Sequence, residues 1–300
     1  MKILVIGNCQ ARPISRILSD KYENIYVLDP IIAHLAKNEM EHEYIRLLES
    51  ADVIISQHLS DDFNCEVIRS NNLKNLFKEK IVLIPNLYYR GYNPELMYIR
   101  MKGEGTLRGP LGDYHHHLLF EAWLGDMTTV DAEEYMSDKS NWNKRFSNVA
   151  EKSLETLRDR ERFLDVTISK EISDQLSSRK LFFTFNHPTL YLLDLLVDKI
   201  SAHIGSLKKA TNFELGDKEP LDLIVVPSHE SVIEKLGGSL EKQSYHSSCF
   251  KGLSRVAEFD YKGPKFYSLT ELIESFYNVY NTKKNDLLIK GVFPPYFKLP

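Results

Sequence analysis

Short apolar segments alternate with amphipathic helical patterns through the first third of the chain. Residues Lys2 to Ile6 are rich in β-formers and end at Gly7, and a helical pattern from Arg12 to Leu18 follows, with Pro13 in its first turn. The same alternation continues with strands at 25–28, 53–56 and 81–84 and helices at 40–48 and 73–77. Strand, helix, strand in this rhythm predicts right-handed crossovers and a parallel sheet.

The middle of the chain differs, because helical patterns follow one another there. They predict helices at 114–124, through Tyr135 with Thr129 as the N-cap, over a long charged stretch at 141–163, and at 169–176. Strands are predicted again at 181–185 and 222–226, with an amphipathic helix after the first, a helix at 268–280, and Thr189 and Ser228 as candidate N-caps. We predict the α/β class: one domain over 1–300, a mostly parallel sheet with flanking helices, and a helical insertion or cap at 114–180.

Composition narrows the function classes. Of 300 residues, 43% are hydrophobic and 27% charged, which is ordinary for a globular protein. The net charge of -4 argues against broad nucleic-acid binding. No apolar run is long enough to span a bilayer, and the apolar start is too short for a signal sequence, so we expect neither. Three cysteines without metal-like spacing favour a reducing, cytoplasmic location.

Polar side chains follow the predicted strands at the points where ligands bind to open parallel sheets, the carboxyl ends of the strands. The first strand ends in Gly7-Asn8-Cys9-Gln10, the third in Gln57-His58, the fourth in Pro85-Asn86 and the fifth in Asn186-His187-Pro188. A thiol, amides and imidazoles are thus predicted to converge at one edge of the sheet. This convergence is more informative than any single member.

Cys9 is the candidate nucleophile, because it lies just before a helix, where backbone N–H groups and the helix dipole lower a thiol pKa. The alternative is a small buried cysteine behind a strand. We interpret Cys65 and Cys249 as structural. His187 is a candidate general base or acid, or else a satisfied core histidine, with His58 and His229 as weaker candidates.

Consecutive histidines, His115-His116-His117, invite a metal interpretation. On a helix, adjacent residues point in different directions, so the three imidazoles do not face one ion, and we predict no metal site. One of the three, His115 above all, or Tyr114 remains a candidate for lining the pocket.

Basic residues are densest between positions 90 and 108, where Arg90, Arg100, Lys102 and Arg108 would suit a phosphate-bearing ligand. The alternative for any one of them is a solvated face. No Walker loop is present, and Gly103-Glu104-Gly105 lacks the glycine and helix of a dinucleotide fingerprint.

Taken in order, four segments resemble the signatures of the WcbI-type polysaccharide-biosynthesis acetyltransferases, a family similar in fold to SGNH hydrolases and, like them, flavodoxin-like in outline. They are Gly7-Asn8-Cys9-Gln10, Pro85-Asn86-Leu87-Tyr88-Tyr89, Gly109-Pro110-Leu111-Gly112-Asp113-Tyr114-His115 and Asn186-His187-Pro188. The resemblance implies a coenzyme A-binding protein that acetylates a sugar of a surface (capsular) polysaccharide. It implies that Cys9 stands where SGNH enzymes carry their nucleophile. Thr184 stands where their aspartate would precede the histidine, so the implied correspondence stops at Cys9.

The leading hypothesis is therefore O-acetyl transfer from acetyl-CoA to a sugar hydroxyl. Either Cys9 attacks the thioester and His187 activates the acceptor, or transfer is direct and Cys9 only lines the pocket. The Cys9 backbone N–H, with Gln10, Gln57 or Asn86, would stabilise the oxyanion. Gly7, Asn8, Gln57 and His58 are further candidate CoA contacts. Alternatives are an SGNH-like carbohydrate esterase, a nucleotide-sugar glycosyltransferase, which the lack of an Asp-x-Asp motif disfavours, and a non-catalytic carbohydrate- or nucleotide-binding protein.

Overall fold

A computed structural model describes residues 1–236, 250–253 and 264–294. Its strands are β1 Lys2–Gly7, β2 Tyr26–Val27, β3 Ile31–Ile32, β4 Val53–Gln57, β5 Ile81–Ile84, β6 Leu96–Tyr98, β7 Arg100–Met101, β8 Gly105–Thr106, β9 Tyr114–His116, β10 Phe182–Thr184, β11 His187–Pro188, β12 Phe250–Leu253, β13 Pro264–Tyr267 and β14 Gly291–Val292. Its α-helices are α1 Ala11–Lys21, α2 Glu41–Ser50, α3 Ser70–Phe77, α4 His117–Leu124, α5 Thr129–Ser137, α6 Lys139–Phe146, α7 Val149–Glu161, α8 Ser169–Gln175, α9 Leu190–Ile204, α10 Glu230–Lys235, α11 Leu269–Thr282 and α12 Lys284–Lys290.

Contacts divide the chain into two compact units. The first comprises Met1–Tyr88, Leu154–Gln175 and Asn186–Leu221, and the second comprises Tyr89–Ser153, Leu176–Phe185 and Asp222–Pro300. Each unit is described by itself. The single domain with an insertion at 114–180 stays a prediction.

The first unit contains a parallel sheet of order β2-β1-β4-β5, in which β2 and β3 pair with successive parts of β1. Alternate residues of β1 face opposite sides of the sheet. Leu4 and Ile6 pack in a core with Tyr44 and Leu48 of α2 and Leu73 of α3, while α1 contacts β1 and α9. Helices therefore flank the sheet, and the predicted α/β class with a parallel sheet is confirmed.

A buried lysine joins the two helices α1 and α9. The Lys21 ammonium, which is 1% exposed, lies 2.6 Å from Asp194 and 2.8 Å from Asp198. If α1 and α9 separated, the Lys21 ammonium would lose both carboxylates, and an unpaired buried charge costs on the order of 3–5 kcal/mol of folding free energy. The ion pairs fix the helix that follows the Cys9 turn.

In the second unit, β6 pairs antiparallel with β9, β7 lies between β8 and β14, and β12 pairs with β13. Helices α4, α5 and α11 contact one another. Their core is aromatic: the ring of Tyr280 lies 5.0 Å from that of Phe120 and 5.5 Å from that of Phe276. Within the described ranges of the chain, no helix is long and apolar enough to cross a membrane.

Three helix predictions are wrong in part. Residues 114–116 form β9 rather than a first helical turn, because they complete a ladder with β6. The charged stretch 141–163 is not one helix, since α6 ends at Phe146 and α7 begins at Val149. The N-cap of α5 is Thr128, which forms a capping box with Asp131, and not Thr129.

One strand prediction is also wrong. Residues 182–184 form the predicted strand, β10, and its place as the fifth strand of the parallel sheet stays a prediction. Segment 222–226 is no strand, because only Val225 makes an isolated bridge, to Lys251. The following helix is capped by His229, whose ring accepts from the backbone N–H of Ser231 at 3.2 Å, rather than by Ser228. The predicted cap Thr189 of α9 is confirmed.

Candidate active site

The turn between β1 and α1 is closed by Gln57, which ends β4. The Gln57 Oε1 atom accepts a hydrogen bond of 2.8 Å from the backbone N–H of Asn8. A Cβ atom at Gly7 would lie 2.7 Å from the same Oε1 atom and 2.9 Å from Cδ. Glycine is therefore required at position 7 by the close approach of a neighbouring side chain, and the chain can turn there without displacing Gln57.

Gln10 joins three strand ends through one fully buried side chain. Its Nε2 atom donates to the carbonyl oxygens of Leu87 at 2.8 Å and Asn186 at 2.9 Å. Its Oε1 atom accepts from Gln57 Nε2 at 2.9 Å and from the Leu87 backbone N–H at 3.2 Å. Both amide hydrogens are thus committed, which disfavours the predicted catalytic role of Gln10 as an oxyanion donor, and that role stays a prediction. In this structure Gln10 positions the turn.

Asn8 connects the turn to the end of β5. Its Oδ1 atom accepts from the backbone N–H of Gln10 at 2.9 Å, and its Nδ2 atom donates to Asn86 Oδ1 at 3.0 Å. Within the described part of the chain, neither Asn86 Nδ2 nor the Cys9 backbone N–H donates to another residue. Asn86 Nδ2 is therefore one donor that the turn leaves for a ligand, and the Cys9 N–H, whose bond is to its own thiol, is a second.

Cys9 lies in this turn and is partly buried, immediately before the N-cap of α1. Burial raises the pKa of the Cys9 thiol to about 11, which a hydrogen bond from its own backbone N–H offsets only in part. The predicted lowering of this pKa is wrong, because the cost of removing a thiolate from water outweighs the helix terminus. At neutral pH the resting side chain is a thiol.

His187 follows Asn186, whose carbonyl oxygen is bonded to Gln10. Gln10 follows Cys9, so the thiol and the imidazole each belong to a residue next to one partner of this hydrogen bond. Burial lowers the pKa of His187 to about 4, so the ring is neutral at pH 7. A neutral imidazole can accept a proton from a hydroxyl or a thiol.

A cleft of about 590 Å³ lies within the first unit, beyond the ends of β4 and β5. Its lining residues are His58, Ser60, Pro85, Asn86, Thr156, Leu157, Asp159, Arg160, Phe163 and Leu164. The volume is that of a typical small-molecule site. Two residues predicted from the strand ends, His58 and Asn86, therefore face one cleft.

The basic residues predicted to meet phosphates all belong to the second unit. Arg90 is half-buried and donates through its guanidinium to the carbonyl oxygen of Pro94 at 2.7 Å, and Arg108 lies 3.3 Å from Asp113. Arg100 and Lys102 are exposed. Their contact with a phosphate stays a prediction.

The histidine run is engaged within the second unit. His115 is fully buried, with Nδ1 2.8 Å from the Tyr280 hydroxyl and Nε2 2.9 Å from the Leu107 carbonyl oxygen. Both nitrogens are committed, which disfavours the predicted contact of His115 with a ligand. Tyr114 is buried and accepts from the Thr184 hydroxyl at 3.0 Å. No group of three or more potential metal ligands occurs in the ranges that the structure describes.

The remaining candidates have structural surroundings. His229 stacks on Trp142 in the second unit, with ring centroids 4.0 Å apart. Cys65 is fully buried in the core that Leu4 and Leu73 share, and Cys249 lies outside the described residues.

The cleft residues Arg160 and Phe163 were missed by sequence reasoning. Their signal was a phenylalanine that ends the charged run Arg158-Asp159-Arg160-Glu161-Arg162.

A family model described as polysaccharide biosynthesis enzyme WcbI matches residues 2–208. A solved structure of WcbI, described as a novel polysaccharide biosynthesis enzyme in its native form without a disulfide bond between CoA and a cysteine, has a TM-score of 0.74 and 16% identity. The match covers 96% of this chain and 92% of the chain in that solved structure. No protein of curated function matches significantly. Since the family model spans well over half of the chain, from β1 through α9, the chain belongs to the WcbI family of polysaccharide biosynthesis enzymes.

Proposed function

We propose that this chain transfers an acetyl group from acetyl-CoA to a sugar hydroxyl during the biosynthesis of a surface (capsular) polysaccharide. The observation that carries the proposal is the hydrogen-bonded assembly at the strand ends. Gln10 and Asn8 hold Cys9, Asn86 and the segment before His187 in one arrangement. A thiol, an amide donor and a neutral imidazole are the groups that acyl transfer from a thioester uses.

The donor groups left by the turn suit the oxyanion that forms when a nucleophile attacks the thioester carbonyl. The Cys9 backbone N–H and Asn86 Nδ2 would donate to that oxygen. Gln57 retains one Nε2 hydrogen, but its side chain is only 3% exposed and is bonded to Gln10. We therefore assign the stabilisation to Cys9 and Asn86.

Two routes remain for the acetyl group. In the covalent route, His187 takes the Cys9 proton, the sulfur attacks the carbonyl carbon, and CoA leaves as a thiolate that is then protonated. The sugar hydroxyl next attacks the acetyl-cysteine, gives its proton to His187 and releases the Cys9 thiolate. In the direct route the hydroxyl attacks acetyl-CoA itself, with His187 as base. The raised pKa of Cys9 favours the direct route unless His187 removes the thiol proton.

CoA is proposed as the donor because the description of the solved WcbI names CoA together with a cysteine, in a form without a disulfide bond between the two. Dependence on acetyl-CoA and the free thiols of Cys9 and Cys65 fit a reducing, cytoplasmic compartment.

The decisive experiment combines binding with mass spectrometry. Calorimetry with CoA should show binding in the micromolar range, about -8 kcal/mol. After incubation with acetyl-CoA, an acetyl group on the Cys9 peptide would establish the covalent route, and Cys9→Ser and His187→Ala would then lose transfer to the acceptor while retaining CoA binding. Full transfer by Cys9→Ala would leave the direct route. Absence of CoA binding, with release of acetate from acetylated saccharides, would replace the transferase by an esterase.

A further inference from the structure

The cleft in the first unit is lined by charged and aromatic residues that acyl transfer at Cys9 does not itself require. Asn86 belongs to both, since it lines the cleft and is hydrogen-bonded to Asn8, next to Cys9. Arg160, in the last turn of α7, and Phe163, just after it, also line the cleft. The lining thus includes a cation and an aromatic ring.

Arg160 is an exposed guanidinium without a carboxylate partner in the described part of the chain. Its neighbour Asp159 also lines the cleft, but Asp159 lies 3.1 Å from Arg162 and is neutralised by it. His58 and Ser60 face the cleft from the end of β4. A guanidinium with nearby hydroxyl and imidazole groups is suited to a phosphate.

Phe163 is 75% exposed, which is unusual for a phenylalanine beside a cleft. The turn that carries it is nevertheless fixed at both ends. Before it, the buried Glu161 carboxylate accepts from the backbone N–H groups of Ile168 at 2.6 Å and Ser169 at 2.9 Å. After it, Asp165 accepts from the backbone N–H of Leu83, in β5, at 2.7 Å.

An aromatic ring that is held at a rim and exposed to water is available for stacking. Planar bases stack on phenylalanine irrespective of their identity. Pro85, Leu157 and Leu164 add apolar surface beside it. An aromatic and apolar wall next to an unpaired guanidinium matches a nucleotide better than it matches an uncharged sugar, whose surface is mostly hydroxyl groups.

We propose that this cleft is a nucleotide subsite, in which Phe163 stacks on the base and Arg160 binds a phosphate. The inference rests on the proposed function, because CoA contains an adenosine bisphosphate and its thioester would lie at Cys9. It places the nucleotide at Arg160 rather than at Arg100 or Lys102. The same chemistry is present in a nucleoside diphosphate sugar, which could be the acceptor.

The test measures dissociation constants by calorimetry for CoA, adenosine 3′,5′-bisphosphate, pantetheine and UDP-glucose. Arg160→Gln and Phe163→Ser should each raise the dissociation constants of CoA and adenosine 3′,5′-bisphosphate about tenfold or more. Pantetheine, which lacks the nucleotide, should bind both variants and the unmodified protein equally. Both side chains are exposed, so the variants should keep the melting temperature of the unmodified protein.

Matched controls come from the same helix end and from the second unit. Arg158→Gln removes an exposed guanidinium of the same helix that does not line the cleft, and it should leave every affinity unchanged. Arg100→Gln and Lys102→Gln test the competing location of the phosphates.

The outcomes separate this subsite from the transferase function. If Arg160→Gln and Phe163→Ser lower the affinity for UDP-glucose but not for CoA, the nucleotide subsite is supported, and its ligand is the sugar nucleotide. Unchanged CoA affinity in those variants, with weakening in Arg100→Gln and Lys102→Gln, would overturn the subsite while the transferase function stands. If CoA does not bind the unmodified protein, the transferase function fails, and UDP-glucose affinity alone decides the subsite. Binding of none of the nucleotides would overturn the subsite as well.

Discussion

The side-chain amide of Gln10 donates a 2.9 Å hydrogen bond to the carbonyl oxygen of Asn186, which lies 176 positions away in the sequence. This bond fixes the turn that carries Cys9 against the segment that carries His187. Asn186 is half-buried, whereas Gln10 is not exposed at all. A side chain without access to solvent thus sets the geometry of a site that must admit a substrate.

Replacing Gln10 by alanine should cost stability as well as activity. The substitution removes the Gln10 partner of the Leu87 and Asn186 carbonyl oxygens and of the Gln57 amide, and a buried polar group that loses its hydrogen bond costs about 1–3 kcal/mol. We expect a loss of about 3 kcal/mol or more in the free energy of unfolding, measured by urea titration. The control is Arg12→Ala, in the exposed part of the same helix, with a change within about 0.5 kcal/mol. Equal denaturation midpoints for Gln10→Ala and the unmodified protein would contradict the positioning role.

The Cys9 thiol should react slowly in the folded protein. With a pKa of about 11, less than about one thiolate in a thousand is present at pH 8. Labelling with iodoacetamide, followed by mass spectrometry of the Cys9 peptide, should accelerate as the pH rises towards 11. In the protein unfolded in urea, Cys9 should be labelled faster at pH 8 than in the folded protein, because the unfolded thiol has an ordinary pKa. Because the folded pKa is the higher one, the thiol's contribution to stability is complete below pH 9 and is lost between pH 9 and 11.

Fast labelling of Cys9 at pH 7 in the folded protein would show that the thiol is activated after all. In that case a neighbouring charge would have to stabilise the thiolate, and the covalent route would gain support over direct transfer.

Sequence patterns predicted the first sheet well, because its strands are short apolar runs that the helices on both sides bury. Lys2–Gly7 and Val53–Gln57 matched the predictions to within one residue. Segment 222–226 has the same apolar pattern but pairs with β12 only through the isolated bridge of Val225 to Lys251, and pairing is a property of the fold rather than of the segment. Residues 114–116 were assigned to a helix because the helical pattern after them is strong, while their ladder with β6 depends on residues that are distant along the chain.

The candidate site was predictable in its members but not in their roles. The strand ends identified Asn8, Gln10 and Asn86, which the structure does bring together. That Gln10 is committed to four partners depends on backbone groups of Leu87 and Asn186, which no side-chain pattern reveals. The predicted lowering of the Cys9 pKa was wrong for a related reason. Burial depends on all the surrounding elements, and its effect on the pKa exceeds the local effect of the helix terminus.

His116 should make the protein sensitive to acid. Burial lowers the pKa of His116 from 6.5 to about 3, with His117 and His229 adding to the effect. Since the folded pKa is below the unfolded one, its contribution is complete above pH 6.5 and is lost as the pH falls towards 3. His116→Asn should flatten the loss of unfolding free energy between pH 6.5 and 4, measured by urea titration at each pH. Asparagine does not titrate, and it can still accept the bond that the Leu119 backbone N–H donates to His116.

The control for acid sensitivity is His42→Asn, an exposed position in α2, which should reproduce the steep pH profile of the unmodified protein. Identical profiles for His116→Asn and the unmodified protein would assign the acid sensitivity to other groups, the first of them His115, whose pKa burial lowers to about 4.

Asn86 should contribute to the rate of acetyl transfer rather than to CoA binding. Its Oδ1 atom accepts from Asn8, and its Nδ2 atom is the side-chain donor that the turn leaves for an oxyanion. Asn86→Asp keeps an acceptor for Asn8 but removes the donor, whereas Asn86→Ala removes both. Loss of one oxyanion donor typically lowers kcat by about 10²–10³. We expect both variants to lose kcat by that factor and Asn86→Asp to lose more, because a carboxylate repels the developing negative charge. The readout is release of CoA, measured with a thiol reagent in the presence of the acceptor, beside the calorimetric affinity for CoA. A loss confined to CoA affinity, with kcat unchanged, would make Asn86 a binding residue of the cleft and remove it from the oxyanion site.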